Sequence, residues 1–203
     1  LQFGGKPVLK KNARLYNCPV SFCDRLRFFQ ESFWLLLCGC GVGFSVQKHH
    51  VANLPNFVER KGKTKVYVIP DSIEGWADSL GVLLSSYFGS GDFVEYAGYD
   101  VEFNFGLIRP EGSKLGSSSG KAPGPIPLQN AMQKITELLN DCVNSGRDNL
   151  RTIDAYDIIM HASDAVLSGG VRRSATICLF SPDDLDMATA KTGNWFNENP
   201  QRG

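Results

Sequence analysis

The apolar positions of this chain follow two spacings, one typical of strands and one typical of helices. Residues 101–105 alternate strictly between apolar and polar side chains, as in a half-buried strand. Residues 73–87 carry apolar side chains three or four positions apart, which gives a helix one continuous apolar face. The two spacings predict strands at residues 14–20, 41–46, 66–69, 101–105 and 174–180. They predict helices at residues 24–37, 71–88, 128–144, 153–168 and 182–190.

Capping residues support several of these boundaries. Asp24 can cap the first helix, and Asp71 with Glu74 forms a reasonable capping box for the second. Gly39 and Gly89 are well placed to end the same two helices. Because strands alternate with helices, the chain is predicted to be a mixed α/β domain, with too few strands to close a barrel alone.

The composition is that of an ordinary globular domain, with 203 residues, 42% hydrophobic and 21% charged. Lys and Arg together balance Asp and Glu, so no long-range attraction to nucleic acid or to an anionic membrane is expected. No apolar run reaches the roughly 18 residues needed to span a bilayer, and the amino end lacks a signal pattern, so we expect a cytoplasmic protein. The chain begins at Leu1 and stops at Gly203 without a closing element, and we expect it to be a piece of a longer protein.

Candidate chemistry is concentrated in residues 14–46. Cys18 lies in the first predicted strand, and about twenty residues later a glycine-rich turn opens the next strand. Glycine lacks a Cβ, so a ligand can come close to the backbone there. We therefore take Cys18 as a candidate redox thiol in a substrate pocket, although a lone strand cysteine is more often a small buried hydrophobe. Cys178 lies on another predicted strand and could pair with Cys18 only if the fold brings the two together.

Structural zinc is an alternative use of the cysteines. Two close pairs are present, Cys18 with Cys23 and Cys38 with Cys40. Zinc sites favour pairs on tight knuckle turns, whereas one pair here straddles a predicted strand and the other a helix end. His49 and His50 could add ligands, but adjacent residues on an extended chain face opposite ways, which favours polar surface histidines.

Two glycine-rich loops have the composition of phosphate-binding segments. Residues 116–121 lack the order of a Walker motif, because Ala122 follows Lys121, although their backbone N–H groups could still bind phosphate. Residues 169–174 place two glycines and two arginines between a helix and a strand. Arginine forks suit phosphate or base contacts, and cations at a helix C-terminus are an equally good explanation.

Several motifs, in order, resemble those of the ribonucleotide reductase large-chain family, most closely its adenosylcobalamin-dependent (class II) members. The matching segments are 16–18, 41–46, 74–76, 108–112, 124–128, 154–158, 170–175 and 183–184. They cover nearly the whole chain from about residue 14.

The resemblance implies roles for particular residues. Cys18 would be the first of two cysteines that reduce the ribose by becoming a disulfide. The residues implied against the substrate are Asn17, Cys18, Gly41 and Gly43. Residues 51–105 would be the insertion that holds a deoxynucleotide or ATP effector. The implied specificity loop, which carries effector identity to the substrate base, is Gly169, Gly170, Val171, Arg172, Arg173 and Ser174.

The resemblance also implies that residues 1–203 form the N-terminal portion of a ten-stranded α/β barrel. The implied substrate is a ribonucleoside triphosphate, the cofactor adenosylcobalamin and the electron donor a thioredoxin-type reductant. The radical-bearing cysteine motif is absent, since residues 199–201 read Asn-Pro-Gln. That motif, the second redox cysteine and most cobalamin-binding residues are expected in a remaining C-terminal part. The chain alone is therefore predicted to be inactive, and a non-catalytic nucleotide-binding or regulatory module is the alternative function.

Overall fold

The structure, a computed structural model, describes residues 5, 12–114, 120–168 and 175–202. The strands are β1 Val20–Phe22, β2 Gly41–Ser45, β3 Thr64–Val68, β4 Asp100–Asn104 and β5 Ala175–Leu179. The helices are α1 Arg27–Leu37, α2 Lys48–Val51, α3 Ile73–Phe88, α4 Ile126–Asn144, α5 Thr152–Ser168, α6 Leu185–Thr189 and α7 Trp195–Glu198. Short 3-10 turns lie at Asn12–Leu15, Val94–Tyr96 and Pro200–Arg202.

The described strands form two separate parallel sheets. In the larger sheet β2 lies between β1 and β5, and Gly43 is in register with Val20 on one side and Ile177 on the other. In the smaller sheet β3 pairs with β4. The prediction of an α/β fold is confirmed, and the described strands do not close a barrel.

Helices cover one face of the larger sheet. α1 packs against β1 and β2, while α5 packs against β5 and against α1. Phe44 of β2 is fully buried, with its ring near those of Phe28 on α1 and Tyr156 on α5. On the opposite face, the open face, described apolar side chains such as Val20 and Ile177 are exposed, so the described core lies on the helical side.

α3 links the smaller sheet to α1, since it packs against both α1 and β4. Its N-cap is Ser72, whose Oγ accepts a hydrogen bond from the Gly75 amide at 2.9 Å. The predicted capping box of Asp71 and Glu74 is therefore wrong, because the Asp71 carboxylate instead accepts a hydrogen bond from Arg109 Nε at 2.6 Å. The predicted end is confirmed: Gly89 adopts φ 60°, the left-handed conformation that closes a helix.

Two predictions near Cys18 are also wrong. Residues 14–20 do not form a strand, because a 3-10 turn occupies Asn12–Leu15 and β1 begins at Val20. Pro19 has no N–H to donate to a ladder, which agrees with a strand that starts just after it. Asp24 does not cap α1, since the N-cap is Leu26 and the Asp24 carboxylate accepts a hydrogen bond from Arg25.

Among the described residues, no helix is both long enough and apolar enough to cross a membrane.

Candidate functional site

Cys18 is held beside the glycine-rich strand by backbone hydrogen bonds on either side of it. The Asn17 carbonyl accepts from the Gly41 amide at 2.8 Å, and the Pro19 carbonyl accepts from the Gly43 amide at 2.9 Å. Cys18 itself is exposed. The structure therefore brings together the four residues that the family resemblance implies at the substrate, namely Asn17, Cys18, Gly41 and Gly43.

Because Gly41 and Gly43 of β2 have no side chains, the central strand adds no side-chain atoms to the open face at these two positions. A β-carbon at Gly43 would lie 3.2 Å from Val20 Cγ2 and 3.4 Å from Ile177 Cγ2, so neighbouring side chains flank this position closely. A β-carbon at Gly41 would meet its nearest atom, the Asn17 carbonyl oxygen, at an ordinary 3.5 Å. Neither glycine has a positive φ. Gly41 is partly exposed next to the segment that carries Cys18, whereas Gly43 is buried between its neighbours.

Apolar side chains surround the two glycines on the open face. Val20 and Ile177 are each 67% exposed, Leu179 is 55% exposed and Phe22 is 49% exposed. Exposed apolar patches of this kind mark surfaces that contact a partner or a ligand. Cys18, two residues before Val20, therefore borders a surface suited to being covered.

Three of the other cysteines, Cys23, Cys142 and Cys178, pack in or against the core. Burial raises the pKa of Cys178 to about 12 and that of Cys142 to about 11, and it raises the pKa of Cys23 well above the usual value. Cys178 packs against the core and is in register with Phe44, whereas Ala175 is in register with Gly41. Three strand residues correspond to about 10 Å, so the fold separates Cys178 from the end of the sheet where Cys18 lies.

The histidines lie on a helical turn, so the expectation of an extended chain at residues 49–50 is wrong. Their ring centroids are 4.0 Å apart on α2, and His50 Nδ1 lies 3.0 Å from the buried Ser45 Oγ. No group of three or more His, Cys, Asp or Glu side chains in the described part of the chain could hold a metal ion. The zinc alternative has no support there.

Charged pairs that sequence reasoning missed anchor α5. Asp157 pairs with Arg202, and both side chains are about nine-tenths buried. Asp154 pairs with Arg147 and Arg151 at the start of the same helix. Asp154 and Asp157 belong to a segment singled out by the family resemblance, but no local pattern links Asp157 to a partner 45 positions away.

Two predicted loops fall wholly or partly outside the described residues. The specificity loop at residues 169–174 lies outside them entirely, and so do residues 116–119 of the second glycine-rich loop. Lys121, at the end of that loop, forms an isolated antiparallel bridge with Lys114.

Residues 45–139 match the sequence profile of a family described as B12-dependent ribonucleotide reductase, insertion domain. An adenosylcobalamin-dependent ribonucleoside-triphosphate reductase of Lactobacillus delbrueckii subsp. bulgaricus is 29% identical over 90% of this chain and 27% of that protein. One from Lactobacillus acidophilus is 33% identical over 80% of this chain and 26% of its own length. A crystal structure of a B12-dependent (class II) ribonucleotide reductase superposes with a TM-score of 0.68 and 25% identity, over 82% of this chain and 26% of that chain.

These matches, together with a parallel sheet that holds a free thiol beside a glycine-rich strand, define a protein of the ribonucleotide reductase class. More specifically, the chain belongs to the class II, B12-dependent ribonucleotide reductase family. It spans about a quarter of the length of the curated relatives it matches.

Proposed function

We propose that this chain forms the part of an adenosylcobalamin-dependent ribonucleoside-triphosphate reductase that presents one of the two reducing thiols to the substrate. The observation that carries the proposal is the position of Cys18, an exposed thiol fixed beside Gly41 by the Asn17–Gly41 backbone hydrogen bond. The ribose would lie on the open sheet face over the partly exposed Gly41, next to the buried Gly43.

In the complete enzyme the substrate loses its 2′ hydroxyl as water. Cys18 and a second thiol outside this chain supply two electrons and two protons, and their sulfur atoms become a disulfide. A thioredoxin-type dithiol then reduces that disulfide. Cys178 is a poor second thiol, because it packs against the core and its pKa is raised to about 12.

Two cavities among the described residues do not place adenosylcobalamin beside the proposed thiol. Cavities of 660 and 240 Å³ lie against α5 and the turn at residues 199–201, and neither is lined by Cys18, Gly41 or Gly43. We derive no step through the cofactor, whose binding we assign to the remaining part of the reductase.

We also propose that residues 51–105 belong to the effector-binding insertion. Support comes from the profile match at residues 45–139, which contains this range, and from the separate β3–β4 sheet with α3 packed on it. Residues 169–174 remain the proposed specificity loop.

The test combines the chain with the complementary part of the reductase, adenosylcobalamin, a ribonucleoside triphosphate and the thioredoxin system. Formation of deoxynucleotide is expected, and Cys18→Ser should reduce it to background. Cys178→Ser, the matched control, should retain activity. If Cys18→Ser turned over at the normal rate with the thioredoxin system, the proposed role of Cys18 would be wrong. If the wild-type mixture bound a nucleotide effector but formed no product, the chain would be a regulatory module instead.

A further inference from the structure

A cluster of two lysines and two tyrosines lies where the smaller sheet begins. Lys61 and Lys65 flank the start of β3, and Tyr96 and Tyr99 come just before β4. Lys61 Nζ lies 4.4 Å from the centre of the Tyr99 ring, and Lys65 Nζ lies 4.2 Å from the same centre. The two ammonium groups therefore share one ring, and they can be no further apart than these two distances together.

Both lysine side chains of this lysine–tyrosine cluster are held in place by their surroundings. The Lys61 amide donates to the Gly98 carbonyl at 2.7 Å, and a β-carbon at Gly98 would lie only 3.1 Å from Lys61 Cγ, so the lysine stem packs over this glycine. Lys65 Nζ donates to the backbone carbonyl of Glu95 and lies 5.4 Å from the centre of the Tyr96 ring. Long side chains that are already ordered lose less rotamer freedom on binding, so these two lysines are prepared for a ligand.

Lys61 and Lys65 have no carboxylate partner among the residues that the structure describes. The ion pairs that described lysines form involve other positions. The adjacent Arg60 differs from the two lysines, since its guanidinium pairs with Asp100 at 2.6 Å. Two like charges held beside one ring repel each other, and an anion that binds both relieves that repulsion. The arrangement of charge therefore points to an anionic ligand.

We propose that the lysine–tyrosine cluster binds a chain of linked phosphates, either free or carried by a nucleotide. Ammonium groups form short, charge-assisted hydrogen bonds to phosphate oxygens. A chain of several phosphates can reach both ammonium groups at once, whereas a single phosphate has fewer oxygens to share between them. The tyrosine rings position the lysines and do not read a base. Although the cluster lies within residues 51–105, it requires neither base nor sugar, so the proposal does not rest on the proposed effector or reductase function.

Calorimetric titration of the chain with tripolyphosphate at low salt tests the proposal, with amide NMR shifts to locate the site. One molecule should bind per chain, with shifts at residues 60–65 and 95–100. Orthophosphate, which carries a single phosphorus, should bind at least tenfold more weakly. The result that overturns the proposal here is an absence of tripolyphosphate binding, or binding that shifts other residues only.

A titration with ATP distinguishes the two sources of the phosphate chain. ATP should shift the same residues, because its triphosphate offers the same contacts. Affinities within about threefold of each other would identify the free chain as a sufficient ligand, and a much tighter binding of ATP at these residues would identify a nucleotide as the source. Binding of ATP without any binding of tripolyphosphate would contradict the proposal, since the nucleoside would then be the part that is recognised.

Matched variants separate this site from general charge attraction. Lys61→Gln and Lys65→Gln should each weaken tripolyphosphate binding about threefold to fivefold, the range of a partly exposed ion pair. Lys191→Gln is the control, because Lys191 Nζ also lies near an aromatic ring, 5.4 Å from the centre of Trp195, but shares it with no second described lysine. This control should leave the affinity unchanged.

Two substitutions of Tyr99 test whether the shared ring prepares the site. Tyr99→Phe keeps the ring and should bind tripolyphosphate as tightly as the wild type. Tyr99→Leu removes the ring and should weaken binding at least threefold while circular dichroism shows an unchanged fold. The proposal is overturned if Lys191→Gln weakens binding as much as Lys61→Gln, or if folded Tyr99→Leu binds as tightly as the wild type.

Discussion

The amide nitrogen of Gly41 lies 2.8 Å from the carbonyl oxygen of Asn17, and this bond ties the segment carrying Cys18 to the central strand of the larger sheet. Because both partners are backbone atoms, the tie does not depend on the side chain at either position. The glycine at position 41 is thus needed neither for this bond nor for a special φ. Under the proposed function, glycine is needed at this position because it has no side chain to keep the substrate away from the backbone.

Gly41→Ala tests this separation of structure from function. The added methyl would meet the Asn17 and Ala175 carbonyl oxygens at 3.5 and 3.7 Å, which are ordinary contacts. Urea unfolding should therefore show unchanged or slightly increased stability, by up to roughly 1 kcal/mol from the less flexible unfolded chain. In the reconstituted reductase the same variant should raise KM for the ribonucleotide. A loss of more than about 1 kcal/mol would show that Gly41 has a packing role of its own.

The thiols should react with alkylating agents in a defined order. Cys18 is exposed, whereas burial raises the pKa values of Cys23, Cys142 and Cys178 and keeps these three thiols protonated. Brief treatment with iodoacetamide at pH 8, followed by peptide mass spectrometry, should label Cys18 well before those three. Addition of urea should remove the difference. Equal labelling of Cys178 and Cys18 in the folded chain would contradict the described packing.

Substitution by alanine should affect stability differently at the two glycines inside α3. A β-carbon at Gly75 would lie 2.4 Å from the Pro70 carbonyl oxygen, so Gly75→Ala should destabilise the fold by about 1–3 kcal/mol. At Gly81 the nearest atom is the Gln30 Oε1 at 2.9 Å, at the end of a flexible side chain. Since alanine also favours helix, Gly81→Ala should change stability by less than about 1 kcal/mol. Thermal unfolding of the two variants in parallel measures the contrast, and equal losses would rule out the clash with Pro70.

Stability should fall on acidification because of His161. Burial, with a smaller effect of Lys134, lowers its pKa below the ordinary 6.5. The unfolded chain then binds a proton that the folded chain resists, so this contribution to stability is present above pH 6.5 and decreases as pH falls below it. His161→Phe should reduce the loss of unfolding free energy between pH 7 and pH 5, as measured in urea at each pH. His50→Gln, at a half-exposed histidine, should change the same loss less. A larger effect of His50→Gln would assign the acid sensitivity to α2 instead.

Long periodic segments with glycine at their ends were predictable from the sequence. The strand predicted at residues 41–46 ends one residue early, and the helix closed by Gly89 begins two residues later than predicted. Their other bounds are as predicted, because apolar spacing and a left-handed glycine act locally. The nearness of Cys18 to Gly41 also follows from the motifs.

Distant partners account for what the sequence did not reveal. Asp71 and Ser72 are adjacent, and both residue types can cap a helix. Ser72 is the N-cap of α3, because Asp71 pairs with Arg109 instead. The burial of Asp157 likewise depends on Arg202, 45 positions further along the chain. Such pairings depend on how helices and turns pack in three dimensions, so they cannot be predicted from neighbouring residues in the sequence.

The order of strands in the larger sheet has a consequence for how the chain acquires its structure during synthesis. β1 and β2 are close in sequence and can pair early, but β5 reaches β2 only across about 130 residues of intervening chain. Until then one edge of β2 has unpaired amide and carbonyl groups that can recruit a strand from another chain. We therefore expect a nascent chain that ends before β5 to self-associate, and translation through Leu179 to protect it by supplying the third strand.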